Sequence, residues 1–427
     1  ILVAFLYKMS GQENNTGTNM VLDTIRTPKA EMPTVIATLI LIATTVTHLF
    51  GGSSGREGAA LQFGASVGSA FGRVLNLNES DRKIIMLSGM SAAFAALFGT
   101  PMAAAIFPME VTSVGIMYYS ALVPCVFSAF IGEYVSVLLK VRTLRVPYLI
   151  DEVPSFYSAN CLKAIFLAVC FAAAGALFCI MLHQTAHLFQ KWFPNQYLRV
   201  FVGGASVILL AMLLRTTDYL GLGEIILKDS FVNVQSPERF LLKMIFTCLT
   251  LSTGFKGGEI VPSLFIGATL GSALSPILGL PANLCAGCGM VGVFCAVTNC
   301  PVSSMLIAAE LFGFTGMSYY CIVIAVSYLI SGYRSLYHAQ TITYSKTENN
   351  TGYNEITVEY KAPTGVISVN KISGYDEKGS SVVSVEQGKV TDKIEIFDDE
   401  KVSTMDILVM NNNESTCKNV KILGRIP

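Results

Sequence analysis

The sequence has few charged residues. Asp, Glu, Lys and Arg make up 14% of its 427 residues, and 29 basic residues balance 29 acidic residues to a net charge of zero. Soluble globular proteins carry roughly 25% charged residues, so this composition argues against a soluble fold for most of the chain. A chain without net positive charge also lacks the electrostatic basis of nucleic-acid binding, which excludes that class of partner.

The sequence also lacks a recognisable metal or redox site. Its four histidines are scattered without the pattern of a metal-ligand set: His48, His183, His187 and His338. Cys285 and Cys288 have C-x-x-C spacing, but most of the eleven cysteines lie in apolar runs. We interpret the cysteines as small buried hydrophobic residues. We therefore predict no metal, no cofactor and no enzymatic activity.

Long stretches of the chain contain no Asp, Glu, Lys or Arg at all. These stretches are residues 32–50, 84–109, 111–132, 260–309 and 311–333. A membrane-spanning helix needs about 20 apolar residues, so the sequence predicts about eight to ten membrane segments, some of them too short to span. The fold class is predicted to be an all-α polytopic membrane protein, located in the cell membrane. Because Ile1 already lies in an apolar stretch, we expect N-terminal helices to be missing from residues 1–344, the predicted transmembrane domain.

The composition changes after about residue 344. Residues 345–427 are polar and contain short runs in which apolar and polar residues alternate, a pattern typical of half-buried strands. These runs are residues 355–360, 365–369, 381–385, 393–397, 406–410 and 420–423. We predict a small, soluble, β-rich C-terminal domain on the cytoplasmic side of the membrane.

The apolar part of the chain contains an internal repeat. Gly89, Phe94, Pro101 and Glu110 recur 200 residues later, as Gly289, Phe294, Pro301 and Glu310. Residues 64–70 also recur, as residues 267–273. Repeats in an apolar chain are typical of secondary transporters. The two repeats are predicted to cover residues 1–157 and 158–344.

A glycine cluster that contains a glutamate precedes the repeated segment in each half. The first cluster is GGSSGREG, with Glu57, and the second is GFKGGE, with Glu259. Each cluster is followed by small, helix-compatible residues, so each marks a predicted helix N-terminus, where unpaired N–H groups and the helix dipole attract anions. Two such ends converging inside the bilayer would hold a small anion. Glu57, itself an anion, could occupy the same place and leave it on protonation.

These motifs resemble the CLC family of chloride channels and anion/proton antiporters. The family motif GxEGP corresponds to residues 55–59, the motif GxFxP to residues 258–262, and the motif GSGIP to residues 17–20, while Tyr337 is similar to the family's anion-binding tyrosine. The resemblance implies inverted repeats of broken, tilted helices and a homodimer with one ion pathway per subunit. It assigns gating and proton transfer to Glu57. It also implies these anion-binding residues: Thr18, Asn19, Gly55, Arg56, Gly58, Gly258, Ile260, Val261 and Tyr337.

The departures from the family pattern concern proton coupling. Chloride/proton antiporters of the family often carry two adjacent glutamates where this chain has Glu110 and Val111. Glu259 stands where the family usually has an apolar residue, and this resembles the fluoride/proton antiporter branch. Glu259, one turn before the helix that Pro262 is predicted to open, is therefore a second candidate proton carrier. Alternatively, it only stabilises a helix N-terminus or pairs with Lys256.

Three functional hypotheses remain open at this stage. Halide/proton antiport leads, with fluoride ahead of chloride, and it depends on Glu57 and Glu259 together. A passive, voltage-gated type of chloride channel is the alternative that Val111 suggests. In the third hypothesis the protein is a membrane-anchored binding or sensory protein whose active part is the β-rich tail.

Overall fold

The computed structural model divides the chain into two units. The first, the helical unit, contains Ile1–Thr112 and Met117–Gln340, and the second contains Ser113–Ile116 and Thr341–Pro427. The structure describes residues 1–13, 15–27, 31–141, 150, 153–157, 159–342 and 346, together with the backbone of the strands beyond residue 357.

The described part of the helical unit is built from fifteen α-helices. They are α1 (Leu2–Met9), α2 (Thr18–Arg26), α3 (Val35–Leu49), α4 (Glu57–Val74), α5 (Glu79–Phe98), α6 (Pro101–Val111), α7 (Leu122–Leu138), α8 (Ala159–Trp192), α9 (Gln196–Leu214), α10 (Glu224–Asp229), α11 (Glu238–Ser252), α12 (Ile260–Leu278), α13 (Ala282–Thr298), α14 (Pro301–Phe312) and α15 (Met317–Ile330).

The helices differ in their ability to cross a membrane. Among the residues that the structure describes, four segments are long and apolar enough to span, namely Tyr119–Leu138, Ala159–Trp192, Gln196–Leu214 and Ile260–Leu278. Five further apolar helices have only 10–17 residues: α3, α6, α13, α14 and α15. Helices too short to span place their ends at membrane depth, where the backbone must find partners inside the protein.

Two helix pairs of the same design form the centre of the helical unit. In the first pair, a Cβ atom on Gly64 of α4 would collide with the carbonyl oxygen of Gly89 on α5. In the second pair, a Cβ atom on Gly267 of α12 would collide with the carbonyl oxygen of Gly289 on α13. The repeated glycines of the sequence are therefore points where two helix backbones touch, which only glycine permits.

The helices α6 and α14 stabilise each other's N-termini. Glu110, near the end of α6, accepts hydrogen bonds from the N–H groups of Val302 (2.9 Å) and Ser303 (2.8 Å) at the start of α14. Glu310, near the end of α14, accepts from the N–H groups of Met102 and Ala103 at the start of α6, both at 2.9 Å. Each carboxylate thus pairs with N–H groups that lack a partner within their own helix.

The described part of the second unit contains seven strands in three sheets. β1 (Ser113–Val114) pairs in parallel with β2 (Thr341–Ile342), and β3 (Val358–Tyr360) pairs antiparallel with β7 (Val420–Ile422). The third sheet has the order β5-β4-β6, with antiparallel pairing throughout, and consists of β4 (Ile367–Asp376), β5 (Ser381–Val390) and β6 (Val402–Asn411). The predicted strand at residues 393–397 lies outside the described residues.

Candidate functional site

The two glycine clusters meet inside the helical unit. The N–H group of Gly55 donates to the carbonyl oxygen of Gly258 at 2.7 Å, and the N–H group of Gly258 donates to the carbonyl oxygen of Gly55 at 2.8 Å. These two residues form an isolated antiparallel bridge directly before α4 and α12. The two helix N-termini therefore lie side by side, as the sequence analysis expected of two converging ends.

The residues after the bridge occupy equivalent positions with different side chains. Arg56 is the N-cap of α4, with φ −108° and ψ −8°, and Glu259 is the N-cap of α12, with φ −94° and ψ −16°. Glu259 was predicted to lie one turn before its helix, but α12 begins at Ile260 and not at Pro262. The side chain of Glu259 consequently starts at the helix end itself, and Glu57 corresponds to Ile260 rather than to Glu259.

Glu57 connects one helix N-terminus to the other. Its side chain has no solvent exposure, and its Oε2 atom accepts a hydrogen bond from the N–H group of Val261 in the first turn of α12, at 3.4 Å. A Cβ atom on Gly258 would lie 2.8 Å from the same oxygen, and a Cβ atom on Gly55 would collide with it. The two glycines therefore leave the space that the carboxylate fills.

A third helix N-terminus lies beside the first two. α2 begins at Thr18 after Gly17, whose φ of 72° is a left-handed conformation that favours glycine. The Thr18 hydroxyl oxygen lies 3.2 Å from the position of a Cβ atom on Gly58. The side chain of Asn19 accepts a hydrogen bond from the N–H group of Ala339 at 3.0 Å, which joins α2 to the segment that carries Tyr337.

Tyr337 presents a buried hydroxyl group to this region. Its side chain is 2% exposed, and the hydroxyl has no hydrogen-bond partner among the residues that the structure describes. The side chain interacts electrostatically with both Glu57 and Glu259. Its backbone is fixed, because the N–H group of Tyr337 donates to the Ser335 hydroxyl at 3.1 Å and His183 of α8 contacts the Ser335 carbonyl oxygen at 2.8 Å.

The structure thus brings together most of the residues that were predicted from the sequence, but these residues differ in whether their N–H groups can donate to an anion. The N–H groups of Gly55 and Gly258 are used by the bridge and are not free to donate to an anion in this arrangement. The first-turn N–H groups of Gly58, Ile260 and Val261 belong to helix ends, where they have no acceptor within the helix. Such N–H groups, with a threonine and a tyrosine hydroxyl beside them, are suited to a small anion.

Two features were not found from the sequence. The Lys256 ammonium group donates to the carbonyl oxygen of Asn15 at 3.0 Å and lies 4.8 Å from the ring centroid of Tyr7. The expected ion pair between Lys256 and Glu259 does not form within 4.0 Å in the described part of the chain. The second feature is the exchange of carboxylate caps between α6 and α14, for which the recurrence of Glu110 as Glu310 was the available signal.

Comparison with known proteins gives consistent matches over the helical unit. The sequence profile of the family described as "Voltage gated chloride channel" matches residues 1–332. The "Chloride/fluoride channel protein" of Pseudomonas syringae pv. tomato is 37% identical over 350 residues, covering 81% of this chain and 77% of the relative. An "H(+)/Cl(-) exchange transporter" of Vibrio cholerae is 25% identical over 275 residues, covering 60% of this chain and 58% of the relative.

Solved structures show the same architecture. The crystal structure of a CLC-type fluoride/proton antiporter superposes with a TM-score of 0.77 at 32% sequence identity, covering 80% of this chain and 86% of that chain. A slow cyanobacterial Cl−/H+ antiporter superposes with a TM-score of 0.65 at 18% identity, covering 74% of this chain and 76% of that chain. At that lower identity the likeness concerns the fold alone. The described helices therefore have a CLC-like arrangement.

Proposed function

Because the chain belongs to the CLC family of voltage-gated chloride channels, we propose that it transports a halide ion across the membrane in exchange for protons. Fluoride is the preferred candidate and chloride the second. The relatives named for fluoride transport cover about four fifths of this chain, and their identities are the higher ones. Glu259, which the sequence analysis linked to the fluoride branch, supports the same choice.

The contact between Glu57 and the N-terminus of α12 carries this proposal. An oxygen of the carboxylate accepts a hydrogen bond from the N–H group of Val261. A helix N-terminus attracts any anion of suitable size. A halide would therefore compete with the Glu57 side chain for the same N–H group. Protonation of Glu57 removes its charge and weakens its hold on that group, so proton uptake and halide entry are linked.

The anion is held by groups from four segments in this proposal. α4 contributes Gly58 and the N-cap Arg56, α12 contributes Ile260 and Val261, and α2 contributes Thr18 and Asn19. Tyr337 adds its buried hydroxyl group. Fluoride is strongly hydrated, so a site that replaces its water must supply several donors at once, and this set offers both N–H and O–H groups.

Glu259 provides the second proton position. The residue after Glu110 is Val111, a fully buried apolar side chain that binds no proton. Glu259 lies at the N-cap of α12, interacts electrostatically with Glu57, and its Oε2 atom has no hydrogen-bond partner among the described residues. A proton could therefore pass between Glu57 and the other side of the membrane by way of Glu259.

The apolar helices support membrane insertion, and we propose a homodimer with one ion pathway in each subunit. We also propose that residues 1–157 and 158–344 form inverted repeats. The reciprocal contacts of Gly55 with Gly258 and of α6 with α14 support this, because two segments related by a two-fold axis make equivalent contacts with each other. Residues 345–427 would form a cytoplasmic β-rich domain with an accessory role.

Flux measurements in proteoliposomes test the proposal. Vesicles containing the purified protein receive an outward gradient of fluoride or, in parallel, chloride, while ion-selective and pH electrodes record both ions. We expect halide efflux accompanied by proton uptake against the proton gradient, faster for fluoride. Halide flux without proton movement would indicate a passive channel instead, and absence of flux above that of empty vesicles would exclude halide transport.

Deletion of residues 345–427 separates the transport hypothesis from the sensory one. If transport resides in the helical unit, the truncated protein keeps the halide and proton fluxes of the full chain. Loss of both fluxes from a truncated protein that remains monodisperse would show that the tail is essential.

A further inference from the structure

Each glycine cluster carries one cation and one carboxylate. The first carries Arg56 and Glu57, and the second carries Lys256 and Glu259. None of these four groups forms an ion pair within 4.0 Å in the part of the chain that the structure describes. The four charges sum to zero when both glutamates are ionised, so every proton added to a glutamate leaves one positive charge without compensation.

The groups in direct contact with the Lys256 ammonium group are neutral, and the charged groups around it are more distant. The ammonium group contacts the carbonyl oxygen of Asn15 at 3.0 Å and the face of the Tyr7 ring at 4.8 Å. The Glu259 carboxylate and the Arg199 guanidinium group of α9 both interact with it electrostatically. A carbonyl dipole and an aromatic face stabilise an ammonium group only in part.

The contact with Asn15 places this charge beside the N-terminus of α2. The side-chain oxygen of Asn15 accepts the N–H group of Gly17 at 2.8 Å, and Thr18 follows immediately as the first residue of α2. Lys256 itself lies three residues before Glu259, the N-cap of α12. One ammonium group therefore connects the loop before α2 with the loop before α12, two of the helix ends at the candidate anion site.

We propose that the positive charge of Lys256 links protonation of Glu259 to halide binding at these helix ends, an inference that rests on the proposed function. When Glu259 is ionised, its carboxylate compensates the ammonium charge. When Glu259 takes up a proton, the ammonium charge attracts a halide in its place. Linkage is reciprocal, so a bound halide also favours protonation of Glu259.

The charged and titratable groups around this pair are few. Glu57 of α4 interacts electrostatically with Glu259, Tyr337 interacts with both glutamates, and Arg199 of α9 interacts with Lys256. Arg199 is a cation at any accessible pH and adds to the positive potential. Protonation of Glu57 also adds to it, so the linkage of Lys256 acts in the same direction as the competition at Val261.

Calorimetric titration of the full-length protein with sodium fluoride at pH 5.5 and pH 7 tests the inference, because burial lowers the pKa of the Lys256 ammonium group to about 8 and a higher pH would remove its own charge. For the unaltered protein we expect fluoride to bind about fivefold more tightly at the lower pH, within the usual range of coupling between two sites. Lys256→Gln keeps a donor for the Asn15 carbonyl but removes the charge, so we expect weaker binding and a loss of most of the pH dependence. Lys191→Gln removes an exposed positive charge from the end of α8 and should leave both values unchanged.

Each outcome has a definite meaning. A pH dependence in Lys256→Gln equal to that of the unaltered protein would overturn the inference, because the hydrogen bond to the Asn15 carbonyl oxygen would then be sufficient without the charge. If Lys256→Gln does not fold, Lys256→Arg, which keeps the charge, must retain the pH dependence, and its loss from a monodisperse Lys256→Arg protein would also overturn the inference. Proton-coupled flux in the unaltered protein without pH-dependent fluoride binding would refute the inference alone, whereas absence of halide flux would refute the proposed function as well.

Discussion

In the first half of the helical unit the bridge glycine is followed by Arg56 and then Glu57, and in the second half it is followed by Glu259 and then Ile260. The backbone at the two N-caps differs by only 14° in φ (−108° against −94°) and 8° in ψ (−8° against −16°), yet the side chains have opposite charges. The same helix framework thus presents a cation and a buried carboxylate at the N-terminus of α4, and a carboxylate at the N-terminus of α12.

The positions outside the two loops are more nearly alike. α5 and α13 are both followed by a residue with left-handed backbone, Gly99 (φ 71°) and Asn299 (φ 58°), and α6 and α14 both start with a proline two residues later. Glycine, proline and cap positions determine the course of the chain, so both halves need them. In the proposed transport, the loop charges distinguish a helix end that receives an ion from one that receives a proton, so we expect them to differ between the halves.

Glu57→Gln should have the largest effect on the difference in charge between the N-termini of α4 and α12. Glutamine has the shape of the protonated acid and cannot carry a proton, so we expect proton coupling to disappear while passive halide flux persists.

Glu259→Gln removes the other carboxylate and should also abolish coupling, but it leaves Glu57 in contact with Val261, so its halide flux should be lower. Paired halide and pH recordings distinguish the two variants, and persistent coupling in Glu57→Gln would exclude it as a carrier.

Gly64→Ala and Gly267→Ala test whether the two helix pairs are equivalent. Each added methyl group would collide with a backbone carbonyl oxygen of the facing helix, so we expect each to destabilise the fold by about 3 kcal/mol. Gly72→Ala is the matched control on α4, because its nearest neighbour at 3.2 Å is the flexible Arg82 side chain. Thermal unfolding in detergent measures all three, and a strong effect in one half only would show that the pairs are not equivalent.

Glu110→Gln and Glu310→Gln compare the two carboxylate caps. Both variants replace a charged acceptor of two N–H groups with a neutral amide. Glu110 is only 8% exposed and Glu310 is more accessible, so we expect a loss of about 2 kcal/mol for the first and about 1 kcal/mol for the second. The same unfolding assay applies, and the reverse order would mean that burial does not determine the strength of these caps.

Tyr337→Phe should have the smallest effect, because it removes one donor and keeps the ring. We expect halide affinity to fall by about 1 kcal/mol, roughly fivefold in Kd, while the fold is unchanged. Tyr328→Phe on α15 removes a tyrosine hydroxyl outside the candidate site and is the control. Equal affinities for Tyr337→Phe and the unaltered protein in calorimetric titration would remove this hydroxyl from the site.

The sequence predicted local features of the site better than contacts between distant segments. Glycine clusters followed by small residues indicate helix starts, and the repeat shows that two such starts exist, so Glu57 and Val261 could be selected in advance. The sequence does not show which groups a side chain meets across the fold. Lys256 is three residues from Glu259, but its ammonium group contacts Asn15, 241 positions away in the sequence.

The repeat also identified Glu110 and Glu310 as equivalent without revealing that each caps the helix of the other half. Equivalence can be recognised from residue types alone, whereas a contact depends on how the halves pack. The bounds of α12 show a similar limit, because the proline at position 262 suggested a later start than Ile260. Proline is tolerated anywhere in the first turn, where the missing N–H group costs no hydrogen bond.

The bridge between Gly55 and Gly258 closes a small ring of backbone where the two halves touch. Opening it would expose two N–H and two C=O groups in surroundings where water is scarce, so the ring resists separation. For an ion to pass while this ring stays closed, side chains must move, and single side chains rotate far faster than whole helices move. Amide hydrogen exchange at these two glycines should accordingly remain slow even while the protein is turning over.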